Sequence, residues 1–322
     1  MTAQLRGKTF RPAAGPGIIA DPVGGPAGGS RMNPLRGRFR AATSDLPCMM
    51  TNKLTAPLPT ALHHVNRSVT LIAALAAGCA GALADSIAVP NGSFESQVAP
   101  LTYPYVTWQI DSWQKAPKPV WFDEVTSGIY WDQTAGLFQN TPAGFPNHID
   151  NMDGNQGLYF LAIPQVAVFQ DYDTVAWNQA APSHAFNATY TPGNMYQLDV
   201  GVIGGFGGMS AGSSLLLSLY YRDAGNNPVP IASTPVVFAP GMFPTTTHFL
   251  DFTVTVPYVQ VGDAWAGQHI GVQLASMNGD GAGYWDLDNV RLTVIPEPAA
   301  GALVGVGLAA LWAARRRHPS CA

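Results

Sequence analysis

The chain has 322 residues, and its 20 acidic side chains outnumber its 16 Lys and Arg residues to give a net charge of −4. The charge is uneven, because residues 85–295 contain 17 of the acidic side chains and four basic ones, a net charge of about −13. So negative a segment repels phosphate backbones, which excludes nucleic acid as its partner.

The N-terminal part of the chain has the features of an export signal. Residues 1–48 are rich in Gly, Pro and Arg without helical or strand periodicity, which predicts a disordered extension upstream of a true start at Met49 or Met50. Within residues 49–84, an apolar run follows Arg67 and ends in the small residues ALA, as in a secretory signal peptide. The mature protein should therefore begin near Asp85. Two alternatives are an extended cytoplasmic region before the signal and lipidation at Cys79.

The segment 85–295 is predicted to be a β-sandwich. Its short apolar or alternating runs are separated by Gly, Asn and Pro, and it has almost no helical periodicity. It also contains no cysteine, which excludes a disulfide scaffold, a thiol enzyme and a cysteine-ligated zinc site. Many short strands with frequent turns indicate an all-β antiparallel sandwich, specifically a jelly roll. The clearest predicted strands are residues 195–203, 214–223, 248–257, 267–276 and 284–295.

The two ends of this segment carry a family resemblance. It opens with IAVPNGSFES and closes with GYWDLDNVRLTVIP, and this pair resembles the ends of galactose-binding-like jelly rolls, which include many carbohydrate-binding modules. The resemblance implies that the first and last strands lie close together, beside a structural Ca²⁺. Glu95 and Asp288 match the acidic ligands of such a site, with carbonyls of residues 150–157 completing it. The alternative is that both carboxylates only cap the ends of the sheet through hydrogen bonds.

The C-terminal residues 296–322 resemble a PEP-CTERM sorting signal. Pro296, Glu297 and Pro298 precede an apolar run, residues 299–314, and the basic cluster Arg315, Arg316 and Arg317 follows it. As a helix these 16 apolar residues cover roughly 24 Å, less than the roughly 30 Å of a bilayer core. The resemblance implies a transient inner-membrane anchor, processing by an exosortase-type membrane protease, and delivery to the surface or extracellular matrix of a Gram-negative bacterium. The alternative is a simple tail anchor.

Aromatic residues suggest a possible ligand. Trp121, Tyr130 and Trp131 lie in a turn-rich stretch, where flat rings could stack on sugar rings, and we expect them to form a carbohydrate-binding platform. The alternative is that these side chains belong to the core.

Catalytic residues are not evident from the sequence. Glycoside hydrolysis needs a pair of carboxylates, and three pairs are close in sequence: Asp123 with Glu124, Asp171 with Asp173, and Asp286 with Asp288. An acidic segment produces such pairs by chance, so no catalytic residue is assigned. We therefore expect a non-enzymatic surface or matrix protein that binds extracellular polysaccharide. The alternatives are a secreted glycoside hydrolase and a structural surface protein without a small ligand.

Overall fold

A computed structural model describes residues 84–102, 105–177, 179–297 and 307. The signal peptide, the N-terminal extension, Pro298 and the basic cluster at residues 315–317 all lie outside the described residues. The apolar run 299–314 does so too, apart from Gly307. No helix among the described residues is both long and apolar enough to cross a membrane.

The described residues between 84 and 297 form twelve β-strands, one short helix and one 3-10 turn. The helix α1 is Glu124–Ser127, and the 3-10 turn is Trp131–Gln133. The strands are β1 (Asp85–Ile87), β2 (Val106–Thr107), β3 (Gln114–Lys115), β4 (Ala135–Gln139), β5 (Gln156–Leu161), β6 (Ala167–Gln170), β7 (Asn194–Phe206), β8 (Ser214–Arg222), β9 (Pro228–Val237), β10 (Leu250–Val256), β11 (Gly271–Asn278) and β12 (Tyr284–Pro296).

The strands form two antiparallel sheets. The seven-stranded sheet has the order β10-β7-β12-β5-β4-β2, with β1 paired to the second half of β12. The five-stranded sheet has the order β3-β6-β11-β8-β9. The predicted all-β antiparallel sandwich with a jelly-roll fold is confirmed.

The core lies between the two sheets and follows the two-residue period of the strands. Leu198, Val200 and Val202 of the seven-stranded sheet are fully buried, as are Leu217 and Leu219 of the five-stranded sheet. Successive side chains of a strand point to opposite faces. Every second residue of the seven-stranded sheet therefore points away from this core, onto what we call the outer face.

Aspartate side chains cap the short helix α1 and the turn between β8 and β9. Asp123 caps α1 by accepting a hydrogen bond from the N–H of Val125 at 3.0 Å. Asp223 closes the β8–β9 hairpin by accepting the N–H groups of Gly225 and Asn227, each at 2.8 Å. These caps account for two of the acidic residues in the segment as local structural groups.

Candidate active site

Asp286 is a buried carboxyl group on the outer face of the seven-stranded sheet. Its neighbours in β12, Trp285 and Leu287, belong to the core between the sheets, so Asp286 points the other way. In the antiparallel register Asp286 stands opposite Tyr159 of β5 and Ile203 of β7. Paired residues share a face, so these three side chains are neighbours.

The surroundings of Asp286 are apolar. Phe138, Ile149, Tyr159, Ile203 and Phe249 form a second cluster of buried side chains, separate from the main core. We call it the outer-face cluster. Two of its members, Tyr159 and Ile203, are the register partners of Asp286. A face that would meet water in most antiparallel sheets is therefore dry here.

Burial changes the chemistry of this carboxyl group. Only 2% of Asp286 is exposed, and its Oδ1 atom has no hydrogen-bond partner. Burial raises the pKa of Asp286 well above its usual range, because a dry environment disfavours the charged form. The raised pKa favours the protonated form of the carboxyl group, which is the form that a general acid requires.

Two tyrosines lie on the same face as this acid. The hydroxyl of Tyr159 donates to the backbone carbonyl of Gln133 at 3.1 Å, which fixes the ring next to Asp286. Tyr284, two residues before Asp286, stacks on Phe206 with ring centroids 4.9 Å apart. Burial raises the pKa of both tyrosines, and the Asp286 carboxyl raises that of Tyr284 further. Both phenols therefore stay neutral.

Two loops cover the outer-face cluster. Residues 140–155 contribute Ile149, residues 240–249 contribute Phe249, and Asn151 joins the loops. The Oδ1 atom of Asn151 accepts the N–H of Phe249 at 2.8 Å, and its Nδ2 atom donates to the Phe249 carbonyl at 3.0 Å. The N–H of Asp150 also donates to the Thr247 carbonyl at 3.0 Å. We call this set of contacts the loop clasp.

The two residues expected to bind calcium lie near one another. Glu95 Oε1 accepts the N–H groups of Asn155 and Gln156, each at 2.7 Å, and Asp288 Oδ2 accepts the N–H of Asp153 at 2.7 Å. These oxygens thus make the capping hydrogen bonds of the alternative interpretation. Asp288 Oδ1, however, is buried without a partner. Burial, with smaller contributions from Asp153 and Glu95, raises the pKa of Asp288 to about 8.

The three residues expected to form a sugar platform do not form one surface. Trp121 and Tyr130 are 52% and 66% exposed, but Trp131 is buried, and its Nε1 atom donates to the Ala116 carbonyl at 2.9 Å. The rings of Trp121 and Trp131 meet edge to face, with centroids 6.5 Å apart and planes at 85°. Trp131 is a core residue, as in the alternative interpretation, because its indole N–H finds a partner inside the protein.

The other carboxylate pairs have structural partners. Asp171 Oδ2 accepts from Arg222 Nε at 2.8 Å and from Nη2 at 2.7 Å, and it also accepts the Tyr220 hydroxyl at 2.5 Å. Glu124 accepts the N–H of Trp131 at 2.8 Å and pairs with Lys118 at 3.2 Å. Asp286 therefore differs from these carboxylates in having an unpaired, buried oxygen. From the sequence, Asp286 was a candidate only as half of a glycosidase pair, and Tyr159 was not a candidate at all, because cross-strand register is not visible in a sequence.

Comparisons with known proteins give the family. Residues 85–293, nearly the whole sandwich, match the family model HpiC1-like, described as HpiC1 cyclase. No curated protein sequence matches the chain.

Several solved structures resemble this one. A cyclase from Fischerella sp. TAU is 20% identical with a TM-score of 0.45, and the match covers 67% of this chain and 99% of the cyclase. The CBM22-1 xylan-binding domain from Paenibacillus barcinonensis is 11% identical with a TM-score of 0.32, over 58% of this chain and 88% of that domain. At such identities the likeness concerns the fold alone.

The family match corrects two expectations from the sequence. A non-catalytic polysaccharide-binding protein was expected and enzymatic activity was not, and both expectations are wrong because the matched family is one of cyclases. The error arose because jelly rolls of similar outline serve unrelated functions, so terminal motifs that indicate the fold do not indicate the activity. The chain belongs to the HpiC1-like family of cyclases.

Proposed function

We propose that this protein is a cyclase that closes a ring in a small, largely apolar molecule, with the Asp286 carboxyl group as the proton donor. The observation that carries the proposal is a buried carboxyl group with a raised pKa and an unpaired oxygen, on the outer face of a sandwich from a cyclase family. The outer-face cluster supplies the apolar and aromatic surroundings that such a substrate needs.

In the proposed reaction, one proton passes from the enzyme to the substrate, and one proton later returns to the enzyme. The Asp286 hydroxyl donates its proton to a C=C bond or to the nitrogen of a C=N bond of the substrate, leaving a carboxylate on the enzyme and an electrophilic carbon in the substrate cation. A second π bond of the substrate attacks this cation and forms the ring bond. The carboxylate then removes a proton from the cyclised cation, which restores the neutral acid. The product is an isomer of the substrate, and no oxidant or other reactant is consumed.

The surroundings of Asp286 suit this sequence of steps. Water would trap a cation as an alcohol, and the loop clasp keeps the outer face covered. The cluster contains the aromatic residues Phe138, Tyr159 and Phe249, and a cation placed over the face of such a ring is stabilised by about 0.5 to 2 kcal/mol.

The experiment is a search for isomerisation. The purified protein is incubated with a small-molecule extract of the cells that produce it, and the extract is compared before and after by liquid chromatography with mass detection. We expect at least one compound to be replaced by an isomer of the same mass and a different retention time. The same incubation with Asp286→Asn should leave that compound unchanged. A conversion that adds water, or one that Asp286→Asn performs equally well, would exclude the proposed reaction.

We also propose a structural Ca²⁺ at Glu95 and Asp288. The support is the buried, unpaired Oδ1 atom of Asp288, together with the mutual repulsion of the carboxylates around it, which a cation would relieve. No group of three or more His, Cys, Asp or Glu side chains within the described ranges is arranged to hold a metal. Carbonyls of residues 150–157 would therefore have to complete the ligand set. Such an ion would order this loop and take no part in proton transfer.

Finally, we propose that the chain is exported by its signal peptide and sorted through residues 296–322. The support is the order of Pro296, Glu297, Pro298, the apolar run and the arginines. Pro296 pairs with Asn194 at the end of β12, and the N–H of Glu297 donates to the Gly193 carbonyl at 2.7 Å. A truncation after Glu297 therefore leaves the sandwich complete. It should release the protein into the medium, and continued cell association of the truncated protein would contradict the sorting role.

A further inference from the structure

A cavity lies beside β3, and it is lined in part by Gln114 and Lys115 of that strand. It has a volume of about 300 Å³, and Trp108, Trp177, Lys115 and Asp132 are among the residues that line it. This volume is at the lower end of the range for small-molecule sites, roughly 300 to 1,000 Å³. Asp286 does not line it. We call it the Lys115 cavity.

The lysine in this cavity is mostly withdrawn from water. The side chain of Lys115 is 16% exposed, and its Nζ atom donates to Asp132 Oδ1 at 3.2 Å and to the Asp132 backbone carbonyl. These contacts hold the amine at a fixed place in the wall and use two of its three donors. Burial lowers the pKa of Lys115 to about 8, although Asp132 opposes the shift. A large fraction of the amine is therefore uncharged, and nucleophilic, near pH 8.

Two half-exposed tryptophan side chains also line the Lys115 cavity. Trp108 is 39% exposed and Trp177 is 42% exposed, although most tryptophans in proteins bury more of their surface. Both line the same cavity as Lys115. Half-exposed indole rings beside a nucleophilic amine offer a stacking surface for a flat ligand next to a group that can react with it.

We propose that the Lys115 cavity binds a small aromatic aldehyde or ketone and holds it as an imine with Lys115 Nζ. The uncharged amine attacks the carbonyl carbon, the carbonyl oxygen takes up a proton, and loss of one water molecule leaves a C=N bond. The step neither oxidises nor reduces the ligand, and it is reversible by water. The assignment is independent of the cyclase reaction, since none of its groups belongs to the outer-face cluster.

Reductive trapping tests this proposal, with Lys118 as the internal control. Lys118 lies three residues away, is 46% exposed and pairs with Glu124. The purified protein is incubated at pH 8 with 4-hydroxybenzaldehyde and cyanoborohydride, which delivers hydride to the imine carbon and makes the adduct permanent. Peptide mapping should find the adduct on Lys115 at least about tenfold faster than on Lys118, since a lower pKa leaves more free amine. Equal or faster labelling of Lys118 would overturn the proposal.

Two further measurements separate an imine site from a merely reactive lysine. Butanal in place of the aromatic aldehyde should label Lys115 several-fold more slowly, and equal labelling would show that the tryptophans contribute nothing. Quenching of tryptophan fluorescence by the aromatic aldehyde without reductant should be lost in Lys115→Arg, which keeps a cation beside Asp132 but cannot form an imine. The quenching should persist in Lys118→Arg. Quenching that survives in Lys115→Arg would mean that no covalent bond holds the ligand.

Discussion

At the scale of single residues, the carboxyl groups of this protein differ mainly in what surrounds their oxygens. Asp171 is 5% exposed, yet Arg222, Tyr220 and Thr174 all contact its carboxyl oxygens. Asp286 is as deeply buried, but its Oδ1 atom has no partner. A buried carboxylate beside a guanidinium can keep its charge, whereas a buried carboxyl without a cation keeps its proton. The first arrangement supports the fold, and the second is suited to proton donation.

The Asp171–Arg222 pair should contribute strongly to stability. Replacing Arg222 by Leu leaves a buried carboxylate without its cation, and we expect the free energy of unfolding to fall by about 3 kcal/mol in urea titrations. Arg291→Leu is the matched control, because Arg291 pairs with Asp251 at 2.8 Å on the surface. That change should cost less than about 1 kcal/mol. Equal losses in the two variants would show that the buried pair has no special role.

At the scale of secondary-structure elements, the candidate site depends on two loops that are longer than the hairpins around them. Residues 140–155 and 240–249 are joined by hydrogen bonds, and Asn151 makes two of them with the backbone of Phe249. Loops of this kind open more readily than the strands they cover, because fewer buried contacts hold them. We infer that a substrate reaches Asp286 when the loop clasp opens.

Asn151→Ala should open the clasp. The change removes two hydrogen bonds worth about 0.5 to 1.5 kcal/mol each, so amide hydrogen exchange of residues 149–151 and 247–249 should accelerate roughly tenfold. Asn227→Ala is the control, because Asn227 bonds only to Asp223 in the β8–β9 hairpin. Exchange that is unchanged by Asn151→Ala would mean that other contacts keep the loops closed.

The elements also show what the sequence could and could not predict. The runs 214–223 and 284–295 match β8 and β12, because runs of strand-forming residues between turn residues are visible in a sequence. Strand β9 was not predicted, since it contains Pro228, Pro230 and Pro235. It lies at the edge of its sheet, where a strand tolerates residues that cannot donate a backbone hydrogen bond.

The candidate site was less predictable than the strands, for a physical reason. The alternation of Asp286 and Asp288 with Trp285 and Leu287 places both carboxylates on one face, and this much follows from the sequence. The same alternation predicts that this face is in contact with water, as the polar face of an antiparallel sheet usually is. The loops that exclude water from it lie more than 30 residues away in sequence. Their packing is a tertiary property, and the burial that it causes is what raises the pKa of Asp286.

At the scale of the whole molecule, the buried carboxyls make stability depend on pH. The pKa of Asp288 is raised to about 8 in the folded protein, above its usual value of about 3.9. The unfolded chain therefore loses this proton at lower pH than the folded protein does. Stability from this group is present below about pH 4 and is lost as the pH rises toward 8, by about 1.4 kcal/mol per pH unit. Asp286 contributes a slope of the same sign, because its pKa is also raised.

Bound Ca²⁺ should offset the loss of stability that the ionisation of Asp288 causes as the pH rises. In the presence of a chelator, the melting temperature of the wild type should fall as the pH rises from about 5.5 to about 7.5. The melting temperature of Asp288→Asn should fall less steeply, because this variant has lost one titrating group. Excess Ca²⁺ should raise the melting temperature of the wild type most at pH 7.5, where binding to the ionised form is strongest. Asp288→Asn should not respond to Ca²⁺. A wild-type melting temperature that is the same in Ca²⁺ and in chelator would contradict the calcium site.

The measurement that tests the central proposal most directly is the rate of ring closure in Asp286→Asn against the wild type, with the substrate found by the isomerisation search. Asparagine has the shape of aspartic acid but no acidic proton, and a positioned general acid typically contributes about 10² to 10⁴-fold in rate. We predict a loss in that range, with the fold intact by circular dichroism, while Asp251→Asn on the surface retains full activity. Turnover by Asp286→Asn within a few-fold of the wild type would contradict the assignment of Asp286 as the proton donor.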